Sequence, residues 1–140
     1  MTFEEKSQWA YGFASLVAPA VYLTWLARQV DVAGGVENID YVGTMLWAIG
    51  AGIILNVVGG IFVRASNPAE ADKRDARDRD IVRRGNAVGF IMFSTLIVGP
   101  FVLAMRDAET FWIANAIYVA YVVTAITTVI VKATLYRKGM

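Results

Sequence analysis

Four long uncharged stretches divide this chain, and the short segments around them carry all of its charged residues. The stretches cover residues 7–27, 41–63, 86–105 and 110–131. A helix needs about 20 apolar residues to cross a hydrocarbon core of about 30 Å, and each stretch is long enough. Because lipid offers the backbone no hydrogen-bond partner, each spanning segment is expected to be a helix. The pattern predicts an all-α integral membrane protein, a four-helix bundle forming one transmembrane domain over residues 1–140.

Two other interpretations of the uncharged stretches fit the residues less well. A soluble helical domain would need helices with polar outer faces, and none of the four stretches has one. Ala18-Pro19-Ala20 is similar to a signal-peptide cleavage site, but the leader MTFEEK has two acids and one lysine instead of a basic region. The apolar stretch also continues to Ala27. We therefore expect this stretch to be retained as a span, with a kink at Pro19.

The distribution of Lys and Arg predicts the orientation in the membrane, because cytoplasmic segments carry the excess of these residues. With four spans, both termini and the central loop at 64–85 lie on one side. Only Arg28 and Arg106 lie on the opposite side. Both termini and the loop are therefore expected in the cytoplasm. The eleven cations on that side are Lys6, Arg64, Lys73, Arg74, Arg77, Arg79, Arg83, Arg84, Lys132, Arg137 and Lys138.

Composition excludes several kinds of chemistry. The chain has no Cys and no His, so it lacks thiolate nucleophiles, the commonest general base and the commonest transition-metal ligand. No predicted span contains Asp, Glu, Lys or Arg. The net charge of +1 creates no field that would attract nucleic acid. We predict a protein that is not an enzyme, with no catalytic, cofactor-binding or metal-binding residues and no direct contact with nucleic acid.

The segment Pro68–Gly85 holds eleven of the 25 charged residues, which number 13 basic and 12 acidic. Asn67, Pro68 and Glu70 match the signals of a capped helix start. Opposite charges four residues apart follow, and each such pair is worth about 0.2–0.5 kcal/mol. Gly85 could end this helix and Asn86 could cap the next one. Alternatively, one helix runs from the charged segment into the third span.

The charged segment has three interpretations. It could be a solvated, self-paired helix, or a docking surface for a cytoplasmic protein or anionic lipid headgroups. Asp72 and Asp75 are also faintly similar to the acidic pattern of CDP-alcohol phosphotransferases. That pattern has Gly where Ala76 stands and further acids on the next helix, so we reject it. The candidate interaction loop comprises Asp72, Lys73, Arg74, Asp75, Arg77, Asp78, Ile81 and Arg84.

Polar and small residues inside the spans predict contacts between helices. Asn56 and Asn115 are expected to hydrogen-bond to other helices, at different depths and so not in one site. The second span contains five glycines. Gly52, Asn56 and Gly60 lie four residues apart on one face, as do Gly85 and Gly89. These surfaces would pack within the bundle or between the subunits of a homo-oligomer.

Four spans in a chain of this length are similar to the small multidrug resistance transporters. Those transporters use a glutamate within the membrane, and this chain has no counterpart of it in any predicted span. The strong charge bias also argues against the dual topology of that group. A small-molecule transporter or pore of the four-helix type is therefore the alternative function.

Three stretches together carry a wider resemblance: FEEKSQWAY at the start, Asp75-x-Arg77-Asp78-x-x-Ile81 before Gly85, and FWIANAIYVAYVVTAI followed by KATLYRKG. They resemble a large group of small, four-span membrane proteins common in actinobacteria and mostly uncharacterised. The group usually has Glu where Ala76 stands here. Its members are often encoded beside helix-turn-helix regulators. The resemblance implies a multi-pass protein of the bacterial cytoplasmic membrane that is a membrane partner or sensor for a cytoplasmic regulatory protein.

Overall fold

The computed structural model describes residues 3–66 and 76–137, and both ranges are helical with no strand in either. Of the predicted interaction loop, Asp72, Lys73, Arg74 and Asp75 lie outside the described residues, as does the predicted cap at Asn67–Glu70. The helices are α1 Phe3–Ala33, α2 Tyr41–Ser66, α3 Ala76–Leu96, α4 Val98–Met105 and α5 Thr110–Arg137, with a 3₁₀ turn at Val36–Asn38.

Three helical segments are long and apolar enough to cross a membrane: Tyr41–Phe62, Ala76–Met105 and Thr110–Arg137. Their large apolar side chains are widely exposed, with Trp47 at 80% and Phe90 at 74%. Exposed apolar surface of this extent marks a membrane or protein contact rather than a face toward water. The all-α prediction is confirmed, and the three segments together indicate a multi-pass membrane protein. The first predicted span, 7–27, lies within α1, which is not among the three.

The charged segment and the third span form one helix over the residues that the structure describes. α3 runs without a break from Ala76 through Gly85 and Asn86 to Leu96. The prediction that Gly85 could end a separate helix is therefore wrong, and the continuous alternative holds. Gly85 is buried, and a Cβ built on it would lie 2.5 Å from Cγ of Lys132 on α5. Glycine is needed at this position for close approach of two helices, not for a helix end.

The boundary between α3 and α4 follows from Pro100. Proline has no N–H, so it cannot donate to the carbonyl of Leu96 four residues earlier. Hydrogen bonds on either side continue, with Ile97 N–H donating to Phe93 O at 2.9 Å and Phe101 N–H to Ile97 O at 3.1 Å. The interruption is confined to Ile97, and the two helices serve as one span.

The predicted turn at 106–109 joins α4 to α5. Asp107 has a φ of 51°, the left-handed conformation common just after a helix. Its N–H donates to Ala104 O, and the N–H of Ala108 donates to Leu103 O at 3.1 Å. This pair of bonds is a Schellman motif, which satisfies the last carbonyls of α4. It reverses the chain within four residues, so α5 returns along α3.

α5 occupies the centre of the helix arrangement. It packs against α1 on one side and against α3 and α4 on the other, while α2 packs mainly against α1. Neighbouring helices are antiparallel, and the start of α1 and of α3 both lie near the end of α5. At this end, which we call the charged end, Arg77 Nη2 donates to Tyr136 O at 3.3 Å and the Arg137 guanidinium lies 5.9 Å from the Trp9 ring centre. The opposite end, the turn end, carries residues 34–40 and 106–109.

Candidate functional site

A cleft of about 490 Å³ enters the bundle from the charged end. Its volume is within the range of about 300–1,000 Å³ that is usual for small-molecule sites. Three aromatic side chains, Phe90, Phe93 and Tyr121, line its inner part. The polar residues that line it come from four helices and are Ser15, Asn56, Asn86, Thr124, Thr128 and Lys132.

The cleft has a definite length and direction. On α5 the lining extends from Tyr121 to Lys132, twelve residues separated by eleven steps of about 1.5 Å, or about 16 Å in all. Lys132 and Asn86 lie at the outer end of the cleft, toward the charged end of the bundle. Phe93 and Tyr121 meet at the inner end, with ring centres 6.0 Å apart and planes nearly perpendicular. The cleft therefore reaches about halfway through a hydrocarbon core of about 30 Å.

The hydroxyl groups on α5 direct their donors to their own helix. Thr124 Oγ1 donates to Ala120 O, and Thr128 Oγ1 donates to Thr124 O, both at 2.8 Å. Asn56 Nδ2 likewise donates to Gly52 O at 2.8 Å. Each oxygen keeps lone pairs that can accept a bond. Such side chains are compatible with an apolar surrounding and still give the cleft a polar wall.

Close approach of α3 and α5 forms the outer wall of the cleft. Ile81, Gly85 and Gly89 are buried and lie four residues apart, so they form one face of α3. A Cβ at Gly89 would clash with Oγ1 of Thr128, and a Cβ at Gly85 would clash with the stem of Lys132. Both predicted packing glycines therefore contact α5. The Lys132 stem lies across Gly85, which holds the residue beside the cleft.

A buried polar contact lies deeper in the bundle, toward the turn end. Tyr22 is 1% exposed, and its hydroxyl donates to Asn115 Oδ1 at 2.7 Å. Asn115 Nδ2 donates to Phe111 O at 2.9 Å, and the rings of Tyr22 and Tyr118 meet edge to face at 4.9 Å. α1 and α5 are thereby joined across the turn half of the bundle.

The two asparagines predicted to join helices behave differently. Asn115 makes the interhelical bond to Tyr22, whereas Asn56 Nδ2 donates to Gly52 O of its own helix and the side chain lines the cleft. Gly52 contacts α1, where a Cβ would lie 3.8 Å from that of Ala18. Gly60 is half-buried. Asn56 and Asn115 are not brought together.

The described part of the predicted interaction loop divides into two faces. Ile81 is 3% exposed, so it belongs to the packing face of α3 and is not an exposed docking contact. Arg84 is exposed and pairs with Asp80 at 2.8 Å. On the outer side, a second, smaller depression is lined by Asp78, Arg79, Val82, Arg83 and Asn86. Arg77 instead bonds to the end of α5.

Sequence reasoning missed the cleft residues on α5. Lys132 was expected only as one of the eleven cytoplasmic cations. A signal was present: Tyr121, Thr124, Thr128 and Lys132 follow a spacing of three, four and four residues, which places them on one helix face.

Metal ligation and similarity to known proteins give no further indication of function. No group of three or more His, Cys, Asp and Glu that could hold a metal ion occurs within residues 3–66 and 76–137. No protein-family model, no curated protein and no solved structure matches the chain.

Proposed function

We propose that the chain is a non-enzymatic, four-span protein of the bacterial cytoplasmic membrane, with both termini and the charged end in the cytoplasm. The packing of α1 supports its role as the fourth span. Its buried residues Ala18 and Tyr22 contact α2 and α5, which both have the length and composition of membrane spans. The bias of Lys and Arg toward the charged end supports the orientation.

We further propose that the charged part of α3 docks a cytoplasmic regulatory protein. The observation that carries this proposal is the continuity of α3, which joins exposed charges at 76–84 to the buried glycines 85 and 89. A shift of α3 against α5 would therefore move the charged surface directly. Arg79 and Arg83 on the outer side are exposed and suit an acidic partner surface.

Site-specific photo-crosslinking in cells tests the docking proposal. A photoreactive residue at position 83 should form an adduct with a cytoplasmic protein, to be identified by mass spectrometry. The double reversal Arg79→Glu and Arg83→Glu should abolish that adduct, because like charges then face each other at the interface. Nine cytoplasmic cations would remain against two outside, so the orientation is expected to persist.

The turn end supplies a matched control. Arg28 and Arg106 are exposed there, and their reversal to Glu strengthens the orientation bias without changing α3. This control should leave the adduct at position 83 intact. An adduct that survives reversal of Arg79 and Arg83, or one that forms equally at position 106, would contradict docking at α3.

We also propose that the chain self-associates through α2. α2 packs mainly against α1, and Gly43, Gly50 and Gly59 have no atom within 4 Å of a built Cβ among the described residues. Small residues on an exposed helix face allow a second helix to approach closely. Cysteine crosslinking along α2 should yield dimers at Gly43 and Gly50, which lie on one face of the helix, and not at Leu55, which is exposed about 120–140° around the helix from them and reports random collision in the membrane.

The cleft favours small-molecule transport as the second candidate. A transport path would have to continue past the contact between Tyr22 and Asn115, which joins α1 to α5 in the turn half. Substrate flux in reconstituted vesicles that disappears with Asn56→Leu would support transport. Flux that is unchanged by this substitution would remove the cleft from any such path.

A further inference from the structure

We propose that the cleft binds one anionic phospholipid from the cytoplasmic leaflet, with its acyl chain along Phe90, Phe93 and Tyr121 and its phosphate beside Lys132. The inference goes beyond the proposed docking function and does not depend on it, and only the choice of the cytoplasmic leaflet rests on the proposed orientation. It assigns a ligand to a site within the bundle, whereas docking concerns the outer side of α3.

The length of the cleft matches one leaflet. The lining from Lys132 to Tyr121 covers about 16 Å, and half of a hydrocarbon core is about 15 Å. An amphiphile anchored at the charged end would therefore fit along the cleft without crossing the midplane. A small polar solute would leave the aromatic inner part unfilled.

The cleft is open toward lipid along its side. Its lining comes from α2 and α3 at the two edges and from α1 and α5 between them. α2 packs mainly along α1, and α3 along α5, so α2 and α3 are not packed tightly together in the described ranges. The edge residue Phe90 is 74% exposed and Tyr121 is 69% exposed. An acyl chain could enter sideways from the bilayer.

The head of the cleft favours an anion. Lys132 supplies the cation, and Asn86 beside it supplies amide donors, both suited to phosphate oxygens. The lysine stem is held across Gly85, where any side chain would displace it. Lysines at helix ends commonly extend toward the headgroup region, and a basic residue near an anionic leaflet contributes to lipid binding. Deeper in the cleft, the Ser15 hydroxyl and the second N–H of Asn56 can donate to ester carbonyl oxygens, and the threonine oxygens can accept from water.

Native mass spectrometry of the full chain in detergent provides the test. The protein should retain one phosphatidylglycerol in preference to phosphatidylcholine with the same acyl chains. Lys132→Gln should weaken phosphatidylglycerol binding by about fivefold and phosphatidylcholine binding by less, because the choline cation offsets the charge of the phosphate. Arg106→Gln is the matched control, since it removes one exposed cation at the turn end, and it should leave both affinities unchanged.

A second variant tests whether lipid occupies the cleft, independently of the charge of Lys132. Ala125→Leu fills the cleft from α5 and should reduce binding of both lipids. Should Ala125→Leu unfold, a photoreactive residue at Tyr121 in the otherwise unchanged protein should crosslink an acyl chain.

Three results would overturn the inference. One is equal affinity for the two lipids with no effect of Lys132→Gln, which indicates annular lipid only. Another is full competition by glycerol phosphate, which indicates a soluble anion as the ligand. The third is crosslinking from Tyr121 to a second copy of the chain and not to lipid.

Discussion

Replacing Tyr22 by phenylalanine removes one hydroxyl and keeps the ring that packs against Tyr118. The lost contact is the 2.7 Å bond from Tyr22 to Asn115 Oδ1 in a site where Tyr22 is 1% exposed. Asn115 keeps its own bond to Phe111 O, so its amide group stays oriented. The substitution therefore isolates one interhelical hydrogen bond between α1 and α5.

The loss of stability expected for Tyr22→Phe is the free energy of one hydrogen bond between helices, relative to helices separated in the membrane. Hydrogen bonds between membrane helices average about 0.6 kcal/mol and reach about 1.7 kcal/mol, because the separated helices find other partners. The bond here is short and buried, so we expect a loss of about 1 kcal/mol. That loss corresponds to about a fivefold change in the equilibrium constant. Tyr22→Ala should cost about 3–5 kcal/mol, because it also removes the buried ring.

Reversible unfolding in mixed micelles, followed by circular dichroism, measures the free energy of unfolding for these variants. Tyr41→Phe is the control, since it removes a hydroxyl for which no hydrogen bond is found within the described ranges and keeps the ring contact with Phe111 at 5.1 Å. A double-mutant cycle of Tyr22→Phe with Asn115→Ala should show a coupling of about 0.6–1.7 kcal/mol. If Tyr22→Phe and Tyr41→Phe lose the same stability, the buried bond does not join the helices as described.

Three further predictions concern α3 and α4. Gly89→Ala should lower the free energy of unfolding by about 1–3 kcal/mol through its clash with Thr128, and adding Thr128→Ala should recover most of the loss, as the same unfolding assay would show. Gly99→Ala should change the free energy of unfolding by less than about 1 kcal/mol, because apart from its chain neighbours and its own helix backbone no atom of the described residues lies within 4 Å of its built Cβ, and the added contact is with the ring of Pro100; a loss comparable to that of Gly89→Ala would contradict the assignment of the packing face. Asp80→Asn should cost no more than about 0.5 kcal/mol, since its pair with Arg84 is exposed and i,i+4; a loss above 1 kcal/mol would show that Asp80 has a structural role beyond that pair.

The helical architecture could be predicted because the length of an uncharged run decides whether it can cross a membrane. The predicted starts at Tyr41 and Thr110 coincide with the starts of α2 and α5. Helix ends were harder to predict, since backbone hydrogen bonding does not stop where the apolar run stops. α1 continues past its predicted span to Ala33, and α5 continues to Arg137.

The cleft could not be predicted, because it depends on which helices are neighbours. Tyr22 and Asn115 are 93 residues apart, and nothing local in the sequence pairs them. Gly85 looked equally suitable as a helix end or a packing position. Only the side chain of Lys132 across it distinguishes these two roles. The spacing of the polar residues on α5 could be recognised in the sequence, but the residues of α1 and α2 that line the cleft with them could not.

Single-cysteine labelling tests the central claim, that four helices cross the membrane with the charged end in the cytoplasm. The chain has no cysteine, so each variant reports one position. With a membrane-impermeant maleimide on spheroplasts, Glu37→Cys and Glu109→Cys should be labelled at once, and Thr2→Cys and Arg83→Cys only after permeabilisation. Immediate labelling of Arg83→Cys would reverse the orientation, and immediate labelling of Thr2→Cys would show that α1 does not span.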